Sequence, residues 1–182
     1  MKTLIVNNHS KHTLELQSIF PNSEIIEKKS FDQNFAKSFD LIIFSGGSNV
    51  PTVLNHSEFY QEEIRFISET EQAVLGICLG CEIVCETFGG KLNLLDEKES
   101  GEKKFKVIGQ NNINILGEQV TCYESHSVGI LEIPKDFEMI ISSDHGPECI
   151  KHKTKPIIGI QFHPEVGGNE KLWEWIKLQC KC

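Results

Sequence analysis

The sequence has no long hydrophobic run, no surplus of basic residues, no phosphate-cradling loop and no low-complexity tract. Each absence removes a class of function. No segment approaches the roughly 18 consecutive apolar residues that a membrane span needs, and "MKTLIVNNHSKH" has too short an apolar stretch for a signal peptide. A cytoplasmic protein without a membrane partner is the expectation. A formal net charge of -8 argues against nucleic acid, whose binding requires clustered Lys and Arg. The short "EKK" runs at 27–29 and 102–104 are mixed in sign and read as solvated surface. "SGGSNV" lacks the lysine and spacing of a nucleotide loop, so ATP chemistry is not expected. Without repeats or a linker, residues 1–182 read as a single domain. The seven cysteines are an odd number, better read as reduced thiols than as a disulfide framework.

What is present is an alternation of buried strands and amphipathic helices. "TLIV", "SEII", "FDLIIFSGGS", "QAVLGI" and "KPIIGIQFHPE" read as strands, the apolar runs being those of a sheet covered on both faces. "HTLELQSIF", "EFYQEEIRFISET" and "NEKLWEWIKLQC" have helical spacing, with Trp173 and Trp175 expected to split between a packed and a partly exposed position. From about residue 91, "KLNLL", "KFKVIG", "NINILGEQVTCYE" and "FEMIISS" read as short antiparallel additions with no long helix between them. The fold class is α/β: a flavodoxin-like, mostly parallel central sheet with helices on both faces and added antiparallel strands.

"AVLGICLGCEIV" places Cys78 where strand spacing (Val74, Leu75, Ile77) gives way to a helical stripe (Cys81, Val84, Cys85, Phe88). Gly76 and Gly80 flank the junction, which makes it a sharp strand-to-helix turn at the carboxyl edge of the sheet. A cysteine there sits at a helix N-terminus, a setting that favours the thiolate and can hold an oxyanion. His163 and Glu165 end another buried strand, and Cys, His and a carboxylate are the parts of an activated thiol nucleophile. Gly47, with the amide of Leu79, could form an oxyanion hole. A core thiol, a capping histidine and a plain turn are the bland readings of the three segments taken singly. A metal site on Cys78, Cys81 and Cys85 has poor spacing, and Cys81 and Cys85 read as small core residues. Cys180 and Cys182 read as thiols of a frayed tail.

Together Gly76-Ile77-Cys78-Leu79-Gly80, Ser45-Gly46-Gly47 and His163-Pro164-Glu165 resemble the class I (triad) glutamine amidotransferases, over nearly the whole chain. The likeness is nearest to the free-standing glutaminase subunits of GMP synthetase and of anthranilate or aminodeoxychorismate synthase. It implies a cysteine-dependent amidohydrolase that needs no cofactor or metal. Cys78 would attack the side-chain amide of L-glutamine to form a γ-glutamyl thioester, and ammonia would pass to a synthase partner. By the same resemblance, Ser127 and Val128 of "YESHSVG" would bind the α-amino and α-carboxylate groups. The family's G-x-C-x-G-H-Q continuation is here Gly-Ile-Cys-Leu-Gly-Cys-Glu. Glu82 thus replaces a substrate-touching glutamine, one turn beyond Cys78 and on its side of the helix, and is expected to set the KM for glutamine. A hydrolase or amidase for another γ-glutamyl compound and a non-catalytic regulatory subunit stand as alternatives.

Overall fold

The computed structural model describes residues 1–47, 56–167 and 169–180. Among them the chain runs β1 (Thr3–Asn8), α1 (Thr13–Ile19), β2 (Glu24–Glu27), α2 (Gln33–Ala36), β3 (Leu41–Gly47), α3 (His56–Phe59), α4 (Gln61–Glu69), β4 (Ala73–Ile77) and α5 (Leu79–Thr87). It continues with β5 (Lys91–Val107), α6 (Gln110–Leu116), β6 (Gln119–Glu132), β7 (Phe137–Ser143), β8 (Gly146–His152), β9 (Ile157–Ile160) and α7 (Glu170–Gln179). One nine-stranded sheet has the order β2-β1-β3-β4-β9-β8-β7-β5-β6. From β2 to β9 its neighbours are parallel, and from β9 to β6 they are antiparallel. This is the expected α/β architecture with its antiparallel extension.

The strand sequences explain the layering. In β1, Ile5 faces one core while Leu4 and Val6 face the other; in β3, Ile43 and the pair Ile42, Phe44 divide the same way. Both sides of each central strand are therefore dry, which is why these strands are continuous apolar runs rather than alternating ones. Leu16 of α1 and Leu172, Trp175 and Ile176 of α7 close one side. Phe66 and Ile67 of α4 and Ile83 and Val84 of α5 close the other.

Several details depart from the sequence reading. The helix expected across "EFYQEEIRFISET" is interrupted at Tyr60, although the Tyr60 and Ile64 amides still donate to the His56 and Tyr60 carbonyls. "NINIL" belongs to a helix, not a strand. Gly109 and Gly117, at φ 82° and 84°, bound α6, and the spacing of Ile113 and Leu116 prevails over the N-I-N-I alternation because both pack on the core. Strand β8 has no counterpart among the expected strands, since Pro147 and Glu148 disguise it. Trp173 and Trp175 are both buried, because each indole has a partner within the fold: the Pro164 carbonyl and the Asn112 side chain. Cys180 is buried in the core rather than frayed, and Cys182 lies outside the described residues.

Candidate active site

Strand β4 delivers Cys78 to the carboxyl edge of the sheet. Its amide donates to the Ile160 carbonyl at 2.7 Å, and its carbonyl accepts the first helical bond of α5 from Glu82 at 3.0 Å. Held from both sides, the residue takes φ 50° and ψ -107°, a conformation sparsely populated by side chains other than glycine. The flanking glycines make the bend possible. A Cβ on Gly76 would lie 2.3 Å from the Gly80 carbonyl oxygen, and one on Gly80 would lie 2.1 Å from that of Phe44.

His163 follows β9 and is anchored by its amide to the Tyr123 carbonyl at 2.7 Å. Its Nδ1 lies 2.8 Å from Glu165 Oε1, which leaves Nε2 as the free edge of the ring. The turn between them is fixed by Trp173, whose indole donates to the Pro164 carbonyl at 3.1 Å. Gly46 stands at the meeting point. A Cβ built on it would fall 2.9 Å from His163 Cε1 and 3.4 Å from Cys78 Cβ, so imidazole and cysteine both lie against the space that the missing side chain leaves. All three candidate triad residues are buried.

Gly47 ends β3 beside Asn8, and Leu79 opens α5, where its amide favours the ionised form of the Cys78 sulfur. Ser48, the last residue of the "SGGS" loop, lies outside the described residues. Val128 is opposite Leu94 in the β5–β6 ladder and Ser127 faces the bulge between Leu94 and Glu99. The charge of Lys98, within that bulge, acts on Cys78. Sequence reasoning missed Lys98, and it missed His12, whose ring stands 5.2 Å from that of His163.

The electrostatics differ from the expectation of a ready thiolate. Burial pushes the Cys78 thiol well above its ordinary range and the Glu82 carboxylate pushes it further, while the Leu79 amide opposes them less strongly. Helix-start stabilisation is outweighed, and the resting sulfur keeps its proton. Glu82 itself is fully engaged: Oε2 lies 2.9 Å from His56 Nε2, and Oε1 accepts from Gln161 Nε2 at 3.2 Å. His56 also reaches Glu86 Oε2 at 3.1 Å. The signal for His56 was a carboxylate on the buried face of a helix, which demands a cation near it.

Burial works against charge on His56, but the two carboxylates prevail and raise its pKa from 6.5 to about 9. Because the folded value lies above the unfolded one, its contribution to stability is complete below pH 6.5 and is lost as pH rises through about 9. Unfolding free energies from urea titrations are expected to fall across that window, and His56→Asn is expected to flatten the fall. An equally steep decline in the variant would remove His56 as its source.

Likeness to known proteins assigns a family. The model of the glutamine amidotransferase class-I family matches residues 1–180, and the chain belongs to that family. Its relatives include the glutamine-hydrolyzing GMP synthase subunit of Methanococcus maripaludis strain C5, 34% identical over 98% of this chain and 95% of that one. The corresponding glutamine-hydrolyzing GMP synthase subunit of Methanocaldococcus jannaschii is 32% identical over 90% of this chain and 82% of its own. A solved structure of a candidate GMP synthase subunit from Thermoplasma acidophilum superposes with a TM-score of 0.87 at 24% identity, covering 100% of this chain and 94% of the other. A glutamine amidotransferase from Thermotoga maritima superposes at 0.75 with 17% identity, covering 98% and 81%. Among the described residues, no helix is long and apolar enough to cross a membrane.

Proposed function

We propose that the chain hydrolyses the side-chain amide of L-glutamine to glutamate and ammonia through a thioester on Cys78, and that the ammonia is consumed by a separate synthase chain. The observation that carries this reading is the approach of Cys78 Cβ and His163 Cε1 to the same point beside Gly46, with His163 Nδ1 held by Glu165 at 2.8 Å. Membership of the amidotransferase family and the relatives that are glutamine-hydrolyzing GMP synthase subunits support it.

In this mechanism His163 Nε2 takes the thiol proton as the sulfur attacks the amide carbon, and Glu165 stabilises the imidazolium. Carbon–sulfur bond formation moves charge onto the amide oxygen, where the Leu79 and Gly47 amides would receive it. The imidazolium returns its proton to the nitrogen as the C–N bond breaks, and ammonia departs. Water, deprotonated by His163, then attacks the thioester carbonyl. The C–S bond breaks, glutamate leaves and the thiol is re-formed. A neutral resting thiol must give its proton to His163 no later than the attack on the amide carbon. Ser127 and Val128 would hold the α-amino and α-carboxylate groups. Glu82, with both oxygens occupied, would act by tuning the sulfur rather than by touching substrate. A cytoplasmic location fits an enzyme that needs reduced thiols, and Cys78, Cys81, Cys85, Cys122 and Cys149 form no disulfide among the described residues. We expect no nucleic-acid, membrane or cofactor requirement.

The test is the stoichiometry of products from the purified chain, by itself and with a synthase chain of the GMP synthase type. Equal glutamate and ammonia from glutamine, with turnover raised by the partner, is the expected result. Faster turnover of γ-glutamyl peptides than of glutamine, with no partner effect, would replace glutamine hydrolysis by a general γ-glutamyl hydrolase activity.

A further inference from the structure

Away from Cys78, the antiparallel half of the sheet buries a second set of polar side chains that the proposed reaction does not use. Glu124 and His126 project from β6 and Glu148 from β8. All three are buried, and one donor atom from each lies within 4.8 Å of the others. His126 Nδ1 is spent on the Val128 carbonyl at 2.8 Å, which turns Nε2 towards the two carboxylates. Nε2 is 3.5 Å from Glu124 Oε1 and 4.0 Å from Glu148 Oε2, and all three atoms are buried without a hydrogen-bond partner. Ser143 donates to the other Glu148 oxygen at 2.6 Å and so fixes that carboxylate with Oε2 turned inward.

From these positions we infer that Glu124, His126 and Glu148 form a binding site for a divalent first-row transition metal, Zn²⁺ or a chemically similar ion, which ties β6 to β8. Three arguments meet here. A metal-binding imidazole ordinarily gives its other nitrogen to a backbone carbonyl, as His126 does, because that bond fixes tautomer and orientation. Donors around a tetrahedral ion with bonds of about 2.1 Å stand about 3.4 Å apart, close to the 3.5 Å and 4.0 Å from His126 Nε2 to the two carboxylates, with all three donor atoms within 4.8 Å of one another. One imidazole and two carboxylates suit Zn²⁺, Mn²⁺ or Co²⁺ better than Ca²⁺ or Cu⁺.

The charge balance also calls for a cation. Glu99 adds a third buried carboxylate at the mouth of the cluster, paired with Lys103 and, at 3.0 Å, with His145 Nε2. Lys103 Nζ lies 3.3 Å from Glu124 Oε2, so this lysine of an "EKK" run is half-buried and engaged, not the freely solvated charge expected of it. Lys103 and His145, both partly exposed, mark the route from solvent to the site.

The probe is Co²⁺, added to the full chain carrying Cys78→Ala so that the nucleophile cannot supply the ligand. Visible d–d absorption should saturate at one Co²⁺ per chain without thiolate charge-transfer bands, and Zn²⁺ should displace it. His126→Asn and Glu148→Gln, the latter able to keep its bond from Ser143, should each weaken uptake by at least about 100-fold, more than the loss of an outer hydrogen-bond partner costs. His145→Asn should leave uptake within about tenfold. Folding of each variant is checked by far-UV circular dichroism. No saturable uptake by the parent, or uptake that persists undiminished in folded Glu148→Gln, would overturn the site.

Discussion

Cys78→Ala is expected to lower the rate of glutamate release by at least about 10⁴-fold, leaving only what amide donors and substrate binding can achieve without a nucleophile. A factor of that size is about 5.5 kcal/mol of transition-state stabilisation. Of the other free cysteines, Cys81, Cys85 and Cys149 are wholly enclosed by core residues. Because the substitution removes a single heavy atom, the unfolding free energy should change by no more than about 1 kcal/mol. The pairing of a large kinetic with a small thermodynamic effect is what distinguishes a reacting atom from a packing atom. Glutamate release retained at a tenth of the parental rate would exclude the covalent route.

Gly80→Ala is expected to have the converse signature: a loss of more than about 3 kcal/mol in stability, or about 6–12 °C in Tm. The new Cβ would lie 2.1 Å from the Phe44 carbonyl oxygen and 2.9 Å from its carbon, and these are backbone atoms of a central strand. Nothing there can rotate aside, so α5 must lift from β3 and carry Cys78 and the Leu79 amide with it. Scanning calorimetry is the direct measurement. A variant that melts with the parent would mean that the helix and strand do not approach as closely as described.

The parallel half of the fold is legible in the sequence because its strands are covered on both faces, so Leu4–Val6 and Leu41–Phe44 carry unbroken apolar runs with helices between them. The antiparallel half is less so. Strand β8 reads G-P-E-C-I-K-H, in which a buried glutamate and a proline mask the alternation, and α6 is set by two positive-φ glycines rather than by periodicity. At the site, the Cys78, His163 and Glu165 segments can be picked out because glycine flanks and a polar turn mark strand ends. His56 is only half legible: Glu82 on a buried helix face signals that a cation is needed, but that His56 supplies it emerges only when α3 meets α5. The charge state of the sulfur escapes the sequence for a related reason: helix polarity can be read along a chain, whereas dehydration is a property of the whole fold.

The protonated state of Cys78 has a consequence for the survival of the molecule in a cell. Peroxides and alkylating metabolites react with ionised sulfur far faster than with its neutral form. An enzyme that kept its nucleophile ionised would be exposed to that attrition between turnovers. In the proposed reaction the sulfur would be stored in its unreactive form, and the arrival of an amide carbonyl beside the imidazole would arm it.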